Sequence, residues 1–473
     1  MDPNTPQTTP TLPPVEIYSQ SGSPTPQSAQ VSAPPPPKKG FPKILIIILG
    51  LIALAGIGIA IFTFLSSRAK SGGEGTLTWW GLWEDESVVT PLIAEYQKTH
   101  PKVKITYQKQ SPQDYRERLT NALAKGTGPD IFRFHNSWVP MFKEELATVP
   151  ASVISAGEFA QTYYPTASSD LTSGAGLVGI PLMYDGLVLY INEDIFEKAG
   201  KTPPATWDDL RQVAIQLTTK DEQGVITQSG VALGRTENVD HWQEILGLMM
   251  LQNGVSMGNP TGKLAEDALT FFTVFSLADG VWDVTLPPST VAFSSGKLAM
   301  YFGPSWRAFE IKQQNPDLKF KTVPVPQLPK GNTNEQDVTY ATYWAEGVWS
   351  RSKNKEAAWE FLKFISSRES LEKMYQNAAS QRLFGEPYPR ADMAELLTSD
   401  KVLSSLVAQA PFAQSWYLAS RTFDGPTGIN SQINKYFEDA VNAVNARTTA
   451  TKALETVASG VQQILSQYGL SAQ

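Results

Sequence analysis

The chain has 473 residues, which is too long for one hydrophobic core because single cores stop growing at about 250–300 residues. Its composition, 41% hydrophobic and 18% charged, is ordinary for a globular protein, and the absence of cysteine excludes disulfides, thiolate metal sites, a cysteine nucleophile and a lipidated N-terminal cysteine. The first 75 residues carry a net charge of +2 and the other 398 carry −9, which argues against binding to nucleic acids or anionic membranes.

The N-terminal 75 residues divide into three predicted segments. Residues 1–43 are rich in proline and poor in large apolar residues, which predicts a disordered tail that is a spacer or, alternatively, a ligand for a proline-recognising partner. Residues 44–65 contain no charge and would form a helix of about 33 Å, enough to span a hydrocarbon core of about 30 Å. Residues 66–75 predict a flexible tether. We therefore expect a single-pass membrane protein with a cytoplasmic N-terminus and an extracellular C-terminal domain.

From residue 76 onward, strand patterns alternate with helical stripes. Alternating or continuous apolar runs predict strands at residues 76–80, 103–107, 131–134, 187–191 and 298–302. Helical stripes separate the first three, so these strands should be parallel and joined by crossover helices. Thr206 and Asp209 fit a capping box at the start of a helix, and the last sixty residues have a helical pattern. The pattern is that of an α/β protein.

Four stretches carry a resemblance to a known family. They are residues 126–132 (GTGPDIF), 181–210, 296–306 and 352–362. In this order, over residues 76–473, they resemble the extracellular solute-binding proteins of the maltose and multiple-sugar type. In cells without an outer membrane such proteins are usually anchored to the membrane by a lipidated cysteine. Here the predicted transmembrane helix takes the place of that lipid anchor.

The resemblance implies a two-lobed, periplasmic-binding-protein-like fold of type II. Lobe I is expected at about 76–184 and 345–370, and lobe II at about 185–344 and 371–473, with hinge crossings near residues 184–186 and 343–347. Such proteins close on a small ligand, here a mono- or oligosaccharide, and deliver it to the permease subunits of an ABC transporter. The resemblance implies a monomer, no cofactor, no metal and no catalytic residue.

Tryptophans and their polar neighbours form two predicted groups. Sugar rings need flat aromatic side chains for the ring face and planar polar groups for the hydroxyls. The tryptophans predicted to pack in the core are Trp138, Trp207, Trp282, Trp349 and Trp359. The predicted ligand-binding residues lie at strand ends, in glycine-marked loops, at the expected crossings, or at positions that resemble the family's stacking sites. They are Trp83, Glu84, Asp85, Asn136, Tyr184, Asp185, Trp242, Trp306, Arg307, Tyr343, Trp344, Glu346, Arg382, Trp416 and Tyr417.

Two other functions remain open at this point. A cell-surface glycosidase would need two paired carboxylates, for which Glu84, Asp85, Asp185 and Glu346 are candidates, but no catalytic motif is present in the sequence. A tethered sugar sensor or adhesin could use the same domain without a permease. The ligand is also open, because Arg307 or Arg382 would suit an acidic or phosphorylated sugar.

Overall fold

The structure is a computed structural model that describes residues 75–174, 176–331, 336–420, 422 and 424–471. The predicted tail, the membrane helix at 44–65 and the tether up to residue 74 lie outside the described residues. Within the described part, no helix is both long enough and apolar enough to cross a bilayer.

The described strands belong to two large sheets and two small ones. In chain order they are β1 (Gly75–Gly81), β2 (Val103–Lys109), β3 (Ile131–His135), β4 (Thr172–Ser173), β5 (Gly176–Leu177), β6 (Ile180–Pro181), β7 (Val188–Asn192), β8 (Thr219–Lys220), β9 (Ile226–Val231), β10 (Leu298–Gly303), β11 (Phe320–Val323), β12 (Thr339–Tyr340), β13 (Trp344–Val348) and β14 (Ala413–Gln414). All five predicted strands are confirmed within one or two residues.

The described α-helices cover the sheets. They are α1 (Glu86–Thr99), α2 (Tyr115–Ala124), α3 (Val139–Phe142), α4 (Ala156–Thr162), α5 (Pro165–Asp170), α6 (Glu193–Ala199), α7 (Trp207–Leu217), α8 (Trp242–Gln252), α9 (Lys263–Leu277), α10 (Ser289–Ser294), α11 (Arg307–Gln314), α12 (Lys355–Ile365), α13 (Arg368–Ala379), α14 (Leu403–Gln409), α15 (Ile429–Asn445) and α16 (Ala450–Gln467). The predicted cap of α7 is present, since the Thr206 side chain accepts a hydrogen bond from the Asp209 N–H at 3.2 Å.

The first large sheet has the strand order β2-β1-β3-β13-β6. β1 pairs in parallel with both β2 and β3, as the alternating strand and helix patterns predicted. β13 inserts antiparallel between β3 and β6, although it lies about two hundred residues further along the chain. Every residue of β3 and of β13 is buried, so this pair forms the centre of the first lobe.

The second large sheet has the strand order β11-β7-β10-β9-β8. β7 is antiparallel to β10 and to β11, while β10 and β9 are parallel. All residues of β7 and β10 are buried, as expected for central strands with apolar sequences. These strands form the centre of the second lobe.

The chain passes between the two sheets along adjacent segments. It leaves the first sheet after β6 and enters the second at β7, and it returns between β11 and β13. Gly186 and Ala341 form an antiparallel bridge, and the N–H of Thr342 donates to the carbonyl of Asp185 at 3.0 Å. The two crossings therefore run side by side, and residues 343–347, where the second crossing was predicted, lie largely within β13.

Helix α13 packs on α1 in the first lobe. Lys373 pairs with Glu95 at 2.8 Å, and the Asn377 amide donates to the carbonyl of Val88 at 3.0 Å. The predicted lobe boundary at residue 371 falls inside this helix. The C-terminal helices α15 and α16 pack on each other and on α9, in the second lobe.

The tryptophans that the sequence assigns to the core are buried. Trp138 and Trp282 are fully enclosed, and Trp207, Trp349 and Trp359 are less than one tenth exposed. The prediction that these five tryptophans pack in the core is confirmed, and none of them lines the cavity that lies between the lobes.

Candidate functional site

A cavity of about 290 Å³ lies between the two lobes, beside the paired crossings. It is lined by Trp83, His135, Met183, Asp185, His241, Glu244, Pro304, Trp306, Phe309, Thr342, Trp344, Arg382, Glu386 and Ser420. Five of these were predicted from the sequence as ligand-binding residues: Trp83, Asp185, Trp306, Trp344 and Arg382. We call this space the cleft cavity.

One wall of the cleft cavity is aromatic and belongs to the first lobe. Trp83 follows β1, and Trp344 opens β13, so both lie at strand ends in the first sheet. Their rings meet edge to face with centroids 5.7 Å apart, and the Trp344 ring also contacts the His135 ring at 5.2 Å. This packing fixes the orientation of both indoles.

The facing wall carries Trp306, which is supported from behind by Arg307. Trp306 caps α11 immediately after β10, and the Arg307 guanidinium lies 4.5 Å from its ring centroid. The side chain of Arg307 is 1% exposed and does not line the cavity. It donates hydrogen bonds to His241 and Glu310 and forms an ion pair with Asp240 at 3.6 Å. Arg307 therefore supports the aromatic wall from within the second lobe.

A chain of hydrogen bonds runs from Arg307 into the cavity wall. Arg307 Nε donates to His241 Nε2 at 2.8 Å, and because a guanidinium can only donate, Nε2 accepts and the imidazole proton is on Nδ1. His241 Nδ1 then donates to Ser420 Oγ at 2.9 Å, and Ser420 Oγ donates to Glu244 Oε1 at 2.8 Å. Burial lowers the pKa of His241, which keeps the ring neutral. His241 has φ of 64°, a left-handed conformation uncommon for a non-glycine residue.

Asp185 joins the first crossing to the loop that carries Trp306. Its carboxylate accepts hydrogen bonds from the N–H groups of Gly186 and Ser305 at 2.7 and 2.9 Å, and from Ser305 Oγ at 2.8 Å. Burial, only partly offset by these donors, raises the pKa of Asp185 to about 7. The side chain thus connects the hinge to the second lobe at the cavity wall.

Arg382 forms the edge of the cavity together with a carboxylate and a phenyl ring. Its guanidinium donates to Glu386 at 2.6 Å and to the carbonyl of Phe384 at 3.0 Å, and it lies 4.9 Å from the ring centroid of Phe309. Burial raises the pKa of Glu386 despite this ion pair. The positive charge of Arg382 is therefore already balanced.

A family comparison adds to this geometry. A sequence model of the bacterial extracellular solute-binding protein family matches residues 80–372, which include both crossings and most of both sheets. The chain belongs to this family. The family consists of extracellular proteins that bind solutes, so this domain is extracellular and the cleft cavity between its lobes is the candidate solute-binding site.

Individual relatives and a solved structure agree with this membership. A putative binding protein of Brucella abortus (strain 2308) is 25% identical over 339 residues, which cover 69% of this chain and 79% of that protein. A maltotriose-binding protein of Pyrococcus abyssi is 21% identical over 313 residues, which cover 64% of each protein. The crystal structure of a cyclo/maltodextrin-binding protein complexed with maltotetraose has a TM-score of 0.67 at 15% identity, covering 84% of this chain and 98% of that chain. This likeness shows the two-lobed periplasmic-binding-protein-like α/β fold.

Three predicted residues of the solute-binding protein lie away from the cleft cavity. Glu84 and Glu346 are buried and both bind Arg133, at 2.6 Å in the case of Glu346. Asp85 is two-thirds exposed and pairs with Lys109 at 2.6 Å. Their binding role stays a prediction, and the structure places them in the core or at the surface.

Other predicted residues line a second cavity or are enclosed by side chains. A cavity of about 760 Å³ has Asn136, Trp416 and Tyr417 in its lining. Thr342 and Trp344 line the cleft cavity, whereas the hydroxyl of Tyr343, which lies between them in the chain, donates to Asp170 in the lining of the second cavity at 2.9 Å. The two cavities therefore lie on opposite sides of this segment. The remaining predicted residues, Tyr184, Trp242 and Tyr343, are buried and line neither cavity.

Sequence reasoning missed several side chains of the cleft cavity. They are His135, Met183, His241, Glu244, Pro304, Phe309, Thr342, Glu386 and Ser420. Seven of the nine lie within two residues of a predicted position, so the segments were found but neighbouring side chains were chosen. His241 directly precedes the predicted Trp242, for example, and it is His241 that lines the cavity, whereas Trp242 does not.

The described part of the chain contains no group of three or more histidine, aspartate or glutamate side chains that could hold a metal ion.

Proposed function

We propose that this protein is the membrane-anchored, extracellular substrate-binding component of an ABC importer and that it binds a carbohydrate in the cleft cavity. Hinge closure brings the two lobes onto the sugar, and the closed protein delivers it to the permease subunits. Binding involves no chemical change of the ligand, no cofactor and no metal.

The observation that carries the proposal is the position of three tryptophans around one space between the lobes. Trp83 and Trp344 come from the first lobe and Trp306 from the second. A ring-shaped ligand contacts all three only when the lobes are together, so binding energy is available to drive closure. Polar groups beside them, including Asp185 and Ser420, match the hydroxyl rim of a sugar.

The named relatives support the carbohydrate class. The Pyrococcus abyssi protein is named for maltotriose, and the structural neighbour holds maltotetraose. Both sugars have the apolar ring faces and hydroxyl groups that aromatic walls with polar neighbours can contact. The proposed anchor is the uncharged segment 44–65, and the proposed permease docking follows from the transport role of the resembled family.

The carboxylates named for a glycosidase do not meet in the cleft cavity. Glu84 and Glu346 bind Arg133 in the core, Asp85 pairs with Lys109 at the surface, and of these four only Asp185 lines the cleft cavity. Hydrolysis of a glycosidic bond needs two carboxyl groups within about 5–10 Å of each other across the bond. This arrangement supports binding over hydrolysis.

The test combines a ligand screen with a measurement of shape. The full chain in detergent is screened by thermal shift against neutral mono-, di- and trisaccharides, where a ligand at about 100 times its dissociation constant adds about 2.7 kcal/mol of stability. X-ray scattering of the sample with the stabilising sugar should show a more compact domain, and chromatography should recover the sugar intact. Absence of stabilisation by every sugar, or recovery of a cleaved sugar, would contradict the proposal.

A further inference from the structure

Glu244 lines the cleft cavity, and one of its two carboxylate oxygens is buried and accepts no hydrogen bond from the described residues. The side chain is 2% exposed and belongs to the first turn of α8. Its Oε1 accepts from the N–H and the Oγ–H of Ser420 at 2.7 and 2.8 Å. Its Oε2 has no hydrogen-bond partner among the residues that the structure describes, and Nδ1 of His241 lies 3.7 Å from it, beyond hydrogen-bond reach.

An unsatisfied carboxylate oxygen in a buried site needs an explanation, because nearly all buried polar atoms in proteins are paired. The other oxygen of Glu244 is held at the end of the relay from Arg307 through His241 and Ser420, so the group is positioned from behind. Burial acts to raise the pKa of Glu244, but the nearby His241 ring and the two hydrogen bonds from Ser420 outweigh it and lower the pKa below its usual value. An ionised carboxylate accepts hydrogen bonds and cannot donate one.

We propose that Oε2 of Glu244 accepts a hydrogen bond from the bound ligand and makes Glu244 a specificity-determining residue of the cleft. The ligand then presents a hydroxyl or an ammonium group at this point, and a carboxylate or phosphate there is rejected. This inference rests on the proposed function, since it concerns the same cavity.

The arginines that suggested an acidic ligand are already paired. Arg307 donates to His241 and Glu310 and does not line the cavity, while Arg382 is paired with Glu386. An anionic group beside Glu244 would therefore meet a like charge and leave Oε2 without a donor. Such juxtapositions discriminate strongly between ligands.

The experiment compares sugars that share a ring and differ in one group. The full chain is titrated by calorimetry with glucose, glucosamine, glucuronic acid and glucose 6-phosphate, with matching sets built on galactose and mannose, and with maltotriose. We expect the neutral or amino sugar of a set to bind, and the acid and the phosphate of that set to bind at least about 10-fold more weakly, since hydrogen bonds to charged groups have effects of this size. A preference for the hydroxyl over the ammonium, or the reverse, identifies which donor the site takes.

Variants assign the discrimination to Glu244. Glu244→Gln keeps an acceptor for Ser420 but offers an N–H group to the cavity, so we expect about 10- to 100-fold weaker binding of the preferred sugar and a smaller penalty for its acid. Glu244→Asp retains the charge and should keep the discrimination with an intermediate loss. Glu237→Gln, at an exposed position in the same lobe, serves as the charge control and should match the wild type.

The outcomes separate the two proposals. If no sugar binds to the wild type, the carbohydrate-binding proposal fails and this inference fails with it. If a neutral sugar binds and both Glu244 variants, folded by circular dichroism, bind it with wild-type affinity, only the inference fails. Tighter binding of the acid than of the neutral sugar by the wild type would also overturn it.

Discussion

Arg307 and His241 are joined by a hydrogen bond of 2.8 Å between Nε and Nε2, directly behind the Trp306 ring. The imidazole meets this ring edge to face at 5.7 Å, and the guanidinium lies 4.5 Å from its centroid. Trp306 is thus held by two bonded side chains from α11 and the start of α8. The position of the second-lobe wall depends on this pair.

Replacement of Trp306 tests the aromatic wall itself. Trp306→Ala should weaken binding of the sugar found in the screen by about 10-fold or more, because a stacked aromatic contributes on the order of 1–3 kcal/mol, taking base–aromatic stacking as the guide. Calorimetry measures the affinity. Trp80→Ala, at a partly exposed position of β1 outside both cavities, is the matched control. Equal affinities of the two variants would remove Trp306 from the site.

Replacement of Arg307 tests the support behind the wall. Arg307→Lys keeps the positive charge but loses the planar fork that serves His241 and the Trp306 ring together. We expect about 10-fold weaker sugar binding, by the same calorimetric assay. In a double-mutant cycle with Trp306→Ala the effect should largely disappear, because Arg307 acts through that ring. Additive losses would show instead that Arg307 contacts the sugar directly.

Local patterns in the sequence predicted the parallel β1-β2-β3 unit because each strand and each crossover helix is a contiguous segment. Local patterns could not predict that β13 pairs with β3, because this pairing joins residues about 210 positions apart, such as Arg133 and Glu346. The same limit applies to the site. Glu346 was expected at the second crossing, but it lies two residues further along β13 than Trp344, on the same face of the strand, where it is buried against Arg133 and does not line the cavity.

Long-range charge pairing explains why other residues predicted to bind the ligand, such as Glu84, lie in the core instead. Glu84 follows Trp83 directly, and nothing local distinguishes a carboxylate that faces a ligand from one that faces a buried arginine. Arg133, in an otherwise apolar strand, was the available signal, because a buried guanidinium requires carboxylate partners. Trp83 and Trp306 were identifiable because tryptophans in irregular loops lack the periodicity of core residues.

Asp185 should make stability depend on pH. Its pKa is raised to about 7 in the folded protein, against about 3.9 for an unfolded aspartate, so the folded state binds more protons between these values. Its contribution to the free energy of unfolding is therefore largest below about pH 4 and falls as the pH rises to about 7. We expect the free energy of unfolding of the wild type, measured by denaturation, to fall by up to about 4 kcal/mol relative to that of Asp185→Asn between pH 4 and pH 8. A constant difference between the two proteins across this range contradicts the prediction.

Gly186 allows the two crossings to approach each other. A Cβ atom at this position would lie 2.4 Å from the carbonyl oxygen of Tyr340, a backbone atom that moves only with the second crossing. Gly186→Ala should therefore lower the free energy of unfolding by about 1–3 kcal/mol, as overpacking does, and weaken sugar binding by displacing the hinge. Gly157→Ala is the matched control, since nothing lies within 4 Å of its Cβ position and it lies in α4. The control should gain up to about 1 kcal/mol in denaturation experiments, and a similar gain for Gly186→Ala would refute the close approach.

The buried cluster around Arg133 should dominate the stability of the first lobe. Arg133, 1% exposed, binds Glu84 and Glu346, and the Trp79 indole N–H also donates to Glu346 at 3.1 Å. Arg133→Met leaves two carboxylates buried without a cation, so we expect a loss of about 3–5 kcal/mol in the free energy of unfolding. Arg351→Met, which removes a half-exposed partner of Glu145, should cost less than about 1 kcal/mol.

A compensating variant distinguishes charge from packing in this cluster. If uncompensated charge causes the loss, neutralising both partners with Glu84→Gln and Glu346→Gln should restore much of the stability of Arg133→Met, because no ion then remains buried. Urea denaturation followed by tryptophan fluorescence measures all three proteins. No recovery in the triple variant would mean that the guanidinium stabilises the lobe mainly by filling space between β1, β3 and β13, and the charge argument would fail.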